Sequence, residues 1–381
     1  MKRRLRLGMI GGGRGAFIGA VHRMAARLDD RYELVAGAFS SNPQRSRDSG
    51  ADFLLQADRC YGTIDEMVRA ESARSDRVHV VAIVTPNHLH HAPAAALLQA
   101  GFHVICDKPL TTTIAEAEDL VTAADRTKRI LAVTYNYSGY PIVRHARQMI
   151  AAGELGELRV VQVEYAQEWL STLIEGEGQK QALWRTDPEK AGVAGVVGDI
   201  GTHAFHLAEF VTGLRISQIA ADLSTCVPGR KLDDNAQMLL RFANGARGAL
   251  WTTQVAPGNE NALRLRIYGE KGGFEWSQEA PNHLRFTRRG EASQLIARGH
   301  AGGGPAGAAA TRIPAGHPEG YIEAFAQVYC DIADLIDASD EGIAPGASAL
   351  LAPTVEDGVR GVRFIHTAVE SSRRNAAWMT I

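Results

Sequence analysis

A chain of 381 residues, at roughly 100–200 residues per domain, has room for two cores. Hydrophobic residues at 45% and charged residues at 22% are ordinary for a globular protein, and a formal net charge of -2 lacks the basic excess that a nucleic-acid or membrane-surface partner calls for. The cysteines Cys60, Cys106, Cys226 and Cys330 stand far apart with no CxxC pair, which argues against a cysteine zinc site and for the reduced thiols of a cytoplasmic protein.

Met1-Lys2-Arg3-Arg4 is basic, but the short apolar stretch behind it runs into glycines, with no h-region and no small-residue cleavage site. A signal peptide is therefore not expected, and no run of 18 apolar residues predicts a transmembrane helix. Residues 5–10 read as a strand, followed at once by Gly11-Gly12-Gly13 and a helix over 17–28. A second strand, 32–39, stops at Ser40-Ser41-Asn42-Pro43. The unbroken apolar run 78–84 suits a central parallel strand covered on both faces, and Thr85-Pro86-Asn87 ends it. A helix over 92–100 closes at Gly101; a strand at 102–106, a helix at 114–125 and a strand at 130–134 follow. Strands spaced by helices imply right-handed βαβ units and a parallel sheet, so residues 1–140 are expected to form a dinucleotide-binding Rossmann domain in an α/β protein.

Residues 141–381 read differently. Strand-like stretches at 158–166, 216–225, 235–242, 246–255 and 263–268 follow one another, and Asn244-Gly245 between two of them is a hairpin signal. They predict an α+β domain with a large, mostly antiparallel sheet for substrate binding and oligomerisation, its last helix free to pack back on the first domain. The Gly- and Ala-rich stretch 299–310 reads as a flexible loop.

Gly11-x-Gly13-x-x-Ala16 follows the first strand and opens the first helix, the setting a dinucleotide fingerprint requires. The first glycine makes the tight turn, the second admits the pyrophosphate, and the small third residue lets helix and strand close up; Gly15 and Gly19 extend the motif and leave its register open. The helix N-terminus offers N–H groups and a positive dipole end to the phosphates. Arg14 and Phe17 fall in the same loop and first turn. After the second strand, Phe39-Ser40-Ser41-Asn42 carries no carboxylate for the adenosine ribose. Ser40, Ser41 and Arg45 are suited to a 2′-phosphate, which tilts the choice between NAD and NADP slightly toward NADP. A turn built from good turn formers reads the same way.

Two strand ends and a later element make the case specific. They are Thr85-Pro86-Asn87-His88-Leu89-His90, Cys106-Asp107-Lys108-Pro109-Leu110 and Gly198-Asp199-Ile200-Gly201-Thr202-His203. With the glycine loop, in this order and spacing, the chain resembles the Gfo/Idh/MocA family, relatives of glucose–fructose oxidoreductase and inositol dehydrogenase, over nearly its whole length. Asp107-Lys108-Pro109 stands where that family usually has Glu-Lys-Pro. The resemblance implies an NAD(P)-dependent oxidoreductase acting on a sugar or cyclitol, a cis Lys108–Pro109 bond, and a homodimer or homotetramer.

Oxidising an alcohol removes a hydride from carbon and a proton from oxygen; the cofactor takes the first and the protein manages the second. Lys108, at a strand's C-terminal end, is placed to bond the substrate oxygen. Asp199 and His203, spaced i, i+4, would share one helix face. The resemblance assigns His203 as general acid/base and Asp199 as its orienter or a substrate-hydroxyl ligand; a solvated helical pair is the plainer account. Thr85, Pro86, Asn87, His90, Asp107 and Asn136 are expected against the cofactor. Tyr137, Trp184, Arg185 and His317 are expected toward the substrate, though a core tryptophan and a surface loop explain Trp184 and His317 equally well. His206 joins Asp199 and His203 in offering metal-ligand types, but hydride transfer needs no metal here and none is expected. Three readings stay open: a dehydrogenase, a keto-sugar reductase, and a non-catalytic NAD(P)-binding regulator. The proton-handling set Lys108, Asp199 and His203 weighs against the last.

Overall fold

The computed structural model describes residues 3–381, so Met1 and Lys2 of the basic N-terminal run lie outside the described residues. The chain divides into two units, one running to Asn136 and including Ile322–Val359, the other Tyr137–Tyr321 with Arg360–Ile381.

In the first unit β1 (Leu5–Gly11), α1 (Phe17–Leu28), β2 (Tyr32–Ala38), α2 (Pro43–Asp52), α3 (Ile64–Ser72), β3 (Val80–Val84), α4 (His91–Gln99), β4 (His103–Cys106), α5 (Ile114–Thr127) and β5 (Leu131–Val133) alternate. The five strands pair in parallel in the order β2-β1-β3-β4-β5. Every residue of β3 is buried, as a strand with helices on both faces must be. The helices α2 and α3 escape the apolar-periodicity reading because α2 is a mostly polar PQRSRDSGAD and α3 is short. Both carry caps: Asn42 Oδ1 accepts from Arg45 N at 2.9 Å with Pro43 at the first helical position, and Thr63 Oγ1 accepts from Glu66 N at 3.2 Å. The turn formers after β2 are thus a helix cap.

The second unit holds α6 (Pro141–Ala151), β6 (Leu158–Ala166), α7 (Lys180–Arg185), α8 (Pro188–Ala191), α9 (Thr202–Thr212), β7 (Ile216–Ser224), β8 (Asn235–Phe242), β9 (Arg247–Thr253), β10 (Ala262–Gly269), β11 (Gly272–Ser277), β12 (His283–Arg288), β13 (Gln294–Ala297) and α10 (Gly304–Ala310). Of the remaining helices, α11 (Tyr321–Glu341) lies with the first unit from Ile322, and α12 (Val355–Arg373) is divided between the units at Val359; β14 (Met379–Thr380) ends the chain in the second. The nine strands form one sheet in the order β13-β12-β11-β10-β6-β9-β8-β7-β14. Its neighbours are antiparallel except β6 and β9, which run parallel. The Asn244-Gly245 hairpin joins β8 to β9, with Gly245 at φ +94. The stretch read as a flexible loop is helical instead: a 3-10 turn at Ala301–Gly303 leads into α10, where Pro305 sits in the first turn and the alanines propagate the helix. A Cβ at Gly307 would stand 3.1 Å from Pro141 O, so its small size lets α10 lie close on α6. No helix among the described residues is long and apolar enough to cross a membrane.

Within the first unit His22 of α1 is fully buried, its ring edge-on to Phe325 at 4.8 Å and its Nδ1 2.7 Å from the Tyr329 hydroxyl. Burial holds its pKa down to about 4. The unfolded chain, with an ordinary value near 6.5, therefore binds more protons than the folded one between pH 4 and 6.5. Stability falls as pH drops through that window, by about 3 kcal/mol once pH 4 is reached. His22→Phe is expected to flatten this part of the stability profile; urea melts of both proteins at pH 7 and pH 5 check it, and equal slopes would remove His22 as the cause.

Candidate functional site

The glycine loop leaves β1 in a conformation open to few residues other than glycine: Gly11, Gly12 and Gly15 have φ of +80, +71 and +75. A Cβ at Gly11 would meet Val84 O at 2.9 Å, and one at Gly13 would meet Phe39 O at 2.8 Å. The close seating of helix on strand, expected of Ala16, belongs to Gly19: a Cβ there would lie 2.4 Å from Gly12 Cα. Ala16 is instead the N-cap of α1, with extended backbone, no side-chain cap and no acid in the first turn. The N–H groups of that end are thus left to a ligand anion, and the loop fits a dinucleotide pyrophosphate. Phe17 is exposed beside it. Arg14 is drawn to α2, where Nη2 donates to Asp52 Oδ1 at 2.7 Å. Arg45, exposed, donates to Arg14 O at 2.8 Å, and Ser40 Oγ accepts from Asn42 N at 3.2 Å; Ser41 is exposed next to it.

The β3 and β4 ends carry the next group. Thr85 Oγ1 donates to Leu89 O at 3.0 Å and closes a 3-10 turn, Asn87–Leu89, behind Pro86, with Asn87 buried. His90, expected against the cofactor, is fully buried and has each ring nitrogen 2.9 Å from a backbone carbonyl, of Pro109 and of Thr85. After β4, Asp107 Oδ1 accepts from Lys108 N at 3.0 Å and from Thr134 Oγ1 at 2.7 Å. Shortening Glu to Asp suits this arrangement: the carboxylate bonds the next backbone N–H. The Lys108–Pro109 bond is cis. Asn136 is buried, and its Nδ2 has no partner among the described residues, a donor suited to a ligand oxygen.

In the second unit Asp199 does not sit on a regular α-helix. Val197–Gly201 is a π-helical turn that runs into α9 at Thr202, so the straight i, i+4 alignment with His203 is corrected to a wider turn. Asp233 sets this turn: its carboxylate accepts from Gly195 N at 2.6 Å and Val197 N at 3.0 Å, and burial raises its pKa while these bonds oppose the rise. Asp199 Oδ1 accepts from Arg185 Nε at 3.2 Å and Oδ2 from Gln254 Nε2 at 2.8 Å. The bonding continues: Gln254 Nε2 donates to Gln167 Oε1 at 3.2 Å, Gln167 Nε2 to Asn261 Oδ1 at 2.7 Å, and the Tyr165 hydroxyl to the same Asn261 oxygen at 2.7 Å. Tyr137 shares a short hydroxyl contact with Tyr165, and its ring stands edge-on to His203 at 4.9 Å. Burial raises the pKa of both tyrosines, so they serve as neutral hydroxyls.

Arg185 lies over the Trp184 ring at 4.2 Å and donates to Gln181 Oε1 at 2.6 Å. Its charge is thus committed to Asp199 and a local amide. His317 is exposed on a loop whose backbone is held by Arg298, itself paired with Glu319 at 2.8 Å. His206 stacks on Phe210 at 5.9 Å, a packing role. Sequence reasoning missed Tyr165, Gln167, Gln254 and Asn261. They lie at the ends of β6, β9 and β10, adjacent in the sheet and far apart in the chain; an unexplained polar cluster at consecutive strand ends was the only available signal.

Two family models match, "Oxidoreductase family, NAD-binding Rossmann fold" over residues 5–135 and "GFO/IDH/MocA C-terminal domain" over residues 143–275. The chain is 35% identical to the uncharacterized oxidoreductase YfiI of Bacillus subtilis (strain 168), over 98% of this chain and 96% of that protein. It belongs to the Gfo/Idh/MocA family. It is an oxidoreductase with an NAD-binding Rossmann domain, as the three motifs implied. Among solved structures it is similar to an oxidoreductase from Sinorhizobium meliloti, 49% identical with a TM-score of 0.90, covering 99% of this chain and 100% of that one. It is also similar to an inositol dehydrogenase homolog from Azotobacter vinelandii complexed with NADH and myo-inositol, 36% identical with a TM-score of 0.91, covering 100% and 98%.

The turn that carries Asp199 offers an internal control. A Cβ at Gly195 would stand 2.3 Å from Asp233 O, whereas one at Gly198 meets nothing within 4 Å. Gly195→Ala is expected to cost about 1–3 kcal/mol by overpacking, and Gly198→Ala to be neutral or stabilising by up to about 1 kcal/mol. Denaturant melts of both variants check this; equal midpoints would refute the packing of the turn.

Proposed function

We propose that the chain moves a hydride between NAD(P) and a hydroxyl-bearing carbon of a cyclitol or sugar. The observation that carries this reading is the whole-length likeness to the homolog complexed with NADH and myo-inositol, joined to Lys108, Asp199 and His203 in one chain. The uncapped N-terminus of α1 and the glycine loop would hold the pyrophosphate, and Thr85–Asn87 with Asn136 the nicotinamide side. When bound, the nicotinamide accepts or returns the hydride. Lys108 donates from its ammonium to the reacting oxygen and stabilises alkoxide character. Its backbone N–H is held by Asp107, so the side chain starts from a fixed root. His203 takes the hydroxyl proton in oxidation and returns it in reduction. Asp199, gripped by Arg185 and Gln254, accepts from a substrate hydroxyl, and the Trp184 and Tyr137 rings suit the apolar faces of a ring substrate. The four cysteines are free thiols, in keeping with a cytoplasmic enzyme.

The test is turnover on a panel of cyclitols and sugars, followed at the nicotinamide absorbance. Lys108→Ala is expected to lower kcat/KM by roughly a hundredfold or more while cofactor binding is kept. Turnover equal to the parent would overturn the assignment, and cofactor binding without turnover anywhere on the panel would favour the regulator. A reductase reading has one observation of its own: no carboxylate follows β2, and the exposed Arg45 with Ser40 and Ser41 suits NADP. Arg45→Ala should then weaken NADPH several-fold more than NADH, measured by calorimetry.

We also infer a homodimer or homotetramer. One row of outward side chains on the nine-stranded sheet includes Leu239, Ala249 and Gln162, and the next includes Val160 and Tyr268. Leu239 is 57% exposed and Val160 38%. Arg247 and Arg266 stand in the same rows, and such a mixed apolar and basic face on an open sheet fits a self-complementary interface. Leu239→Arg should reduce the mass seen by light scattering, and an unchanged oligomer would exclude this face.

A further inference from the structure

His90 is spent on neither the glycine loop nor the acid/base set, yet it is fully buried between two functional loops. The parallel ladder between β3 and β4 pairs Ile83 with Cys106, and Asp107 N still donates to Ile83 O at 3.0 Å. Beyond that bond the strands give way to loops, one carrying Thr85-Pro86-Asn87 and the other Lys108-Pro109. The next link between them is a side chain. His90 Nδ1 lies 2.9 Å from Pro109 O and Nε2 2.9 Å from Thr85 O. Both partners are acceptors and a neutral imidazole carries one N–H, so the ring donates to one carbonyl and packs its other nitrogen against the second. On the other side of Lys108 its backbone N–H is held by Asp107 Oδ1, and that carboxylate is fixed in turn by Thr134.

We propose that His90 is the positioning residue for Lys108, a rigid imidazole strut that sets the distance between the turn after β3 and the lysine loop after β4. The inference rests on the assignment of Lys108 as the residue that bonds the reacting oxygen. Histidine suits the task because its two nitrogens sit at opposite edges of one flat ring, so a single side chain reaches two backbones with little freedom between them. A misplacement of about 1 Å at a reacting group costs up to about a hundredfold in rate. The strut therefore acts on kcat more than on substrate affinity.

The test compares His90→Phe, which fills the space without donors, and His90→Gln, which keeps one donor group, with Lys108→Ala, using myo-inositol and its ring-perdeuterated form as probes. In His90→Phe, kcat is expected to fall roughly 10- to 100-fold with KM for myo-inositol within about threefold, and the deuterium isotope effect on kcat to rise as the chemical step becomes limiting. His90→Gln should lie between His90→Phe and the parent. A lower kcat with an unchanged isotope effect, in proportion to the folded fraction, would mean a merely structural residue and overturn the proposal. If Lys108→Ala turns over like the parent, the functional assignment fails; if it is inactive while His90→Phe matches the parent, only the strut fails. A readout independent of turnover is hydrogen–deuterium exchange of the peptide spanning 107–112. It should quicken several-fold in His90→Phe while β3 and β4 stay protected, and equal exchange would also overturn the proposal.

Discussion

A contact between two glycines governs much of the first unit. Gly12 in the loop and Gly19 in the first turn of α1 approach so closely that a single methyl at Gly19 would collide with Gly12 Cα at 2.4 Å. With no side chains between them, the helix is seated directly on the end of β1. That seating points the N-terminus of α1 across the strand ends, where β1 and β3 are paired through Gly11 and Val84. Side chains that would otherwise cap the helix are absent, and its free N–H groups become a ligand site. The glycines are thus needed less for flexibility than for the absence of volume.

The second unit solves a different problem, holding a carboxylate still without neutralising it by a single strong pair. Neighbouring aspartates divide the work. Asp233 bonds the backbone of the turn before Asp199, and Asp234 bonds Cys226 N at 2.7 Å, Val227 N at 3.0 Å and Arg230 at 3.0 Å. Arg230, almost wholly buried, reaches on to Glu175 at 2.8 Å and to the carbonyls of Leu170 and Thr172. The segment after β6 is therefore fastened to the loop before β8. Asp199 is oriented by the Arg185 guanidinium on one oxygen and the Gln254 amide on the other.

What could be read in the sequence is what is local in the chain. The glycine loop, the apolar β3 run and Asp107-Lys108-Pro109 are each a few consecutive residues whose chemistry speaks without a partner. The role given to Ala16 was misplaced because the tight approach depends on which residue faces the strand one turn later, a matter of helix phase. The flexible-loop reading of 299–310 failed for a related reason: glycine and alanine are equally small, but alanine favours helix and Pro305 starts one. The strands β11 to β13 are short, so only the brief alternations of Phe274 with Trp276 and of Leu284 with Phe286 mark them. The amide chain from Asp199 to Tyr165 was beyond reach, since it forms only when β6 inserts between β9 and β10.

The parallel pairing of β6 with β9, alone among the neighbours of an antiparallel sheet, separates permanence from variation. Because these two strands run the same way, both leave the sheet at one edge, and Gln167 and Gln254 emerge side by side there. Their backbones are fixed by a ladder that no side chain can alter, with Gln167 N donating to Thr253 O at 2.9 Å. Their side chains bond one another, Asp199, Asn261 and Trp169. An ancestor could exchange amide for hydroxyl, acid or aromatic at these two positions and present a new polar outline without disturbing a single strand. The sheet is, in that sense, a fixed keyboard whose few keys at the rim could be exchanged without disturbing its frame.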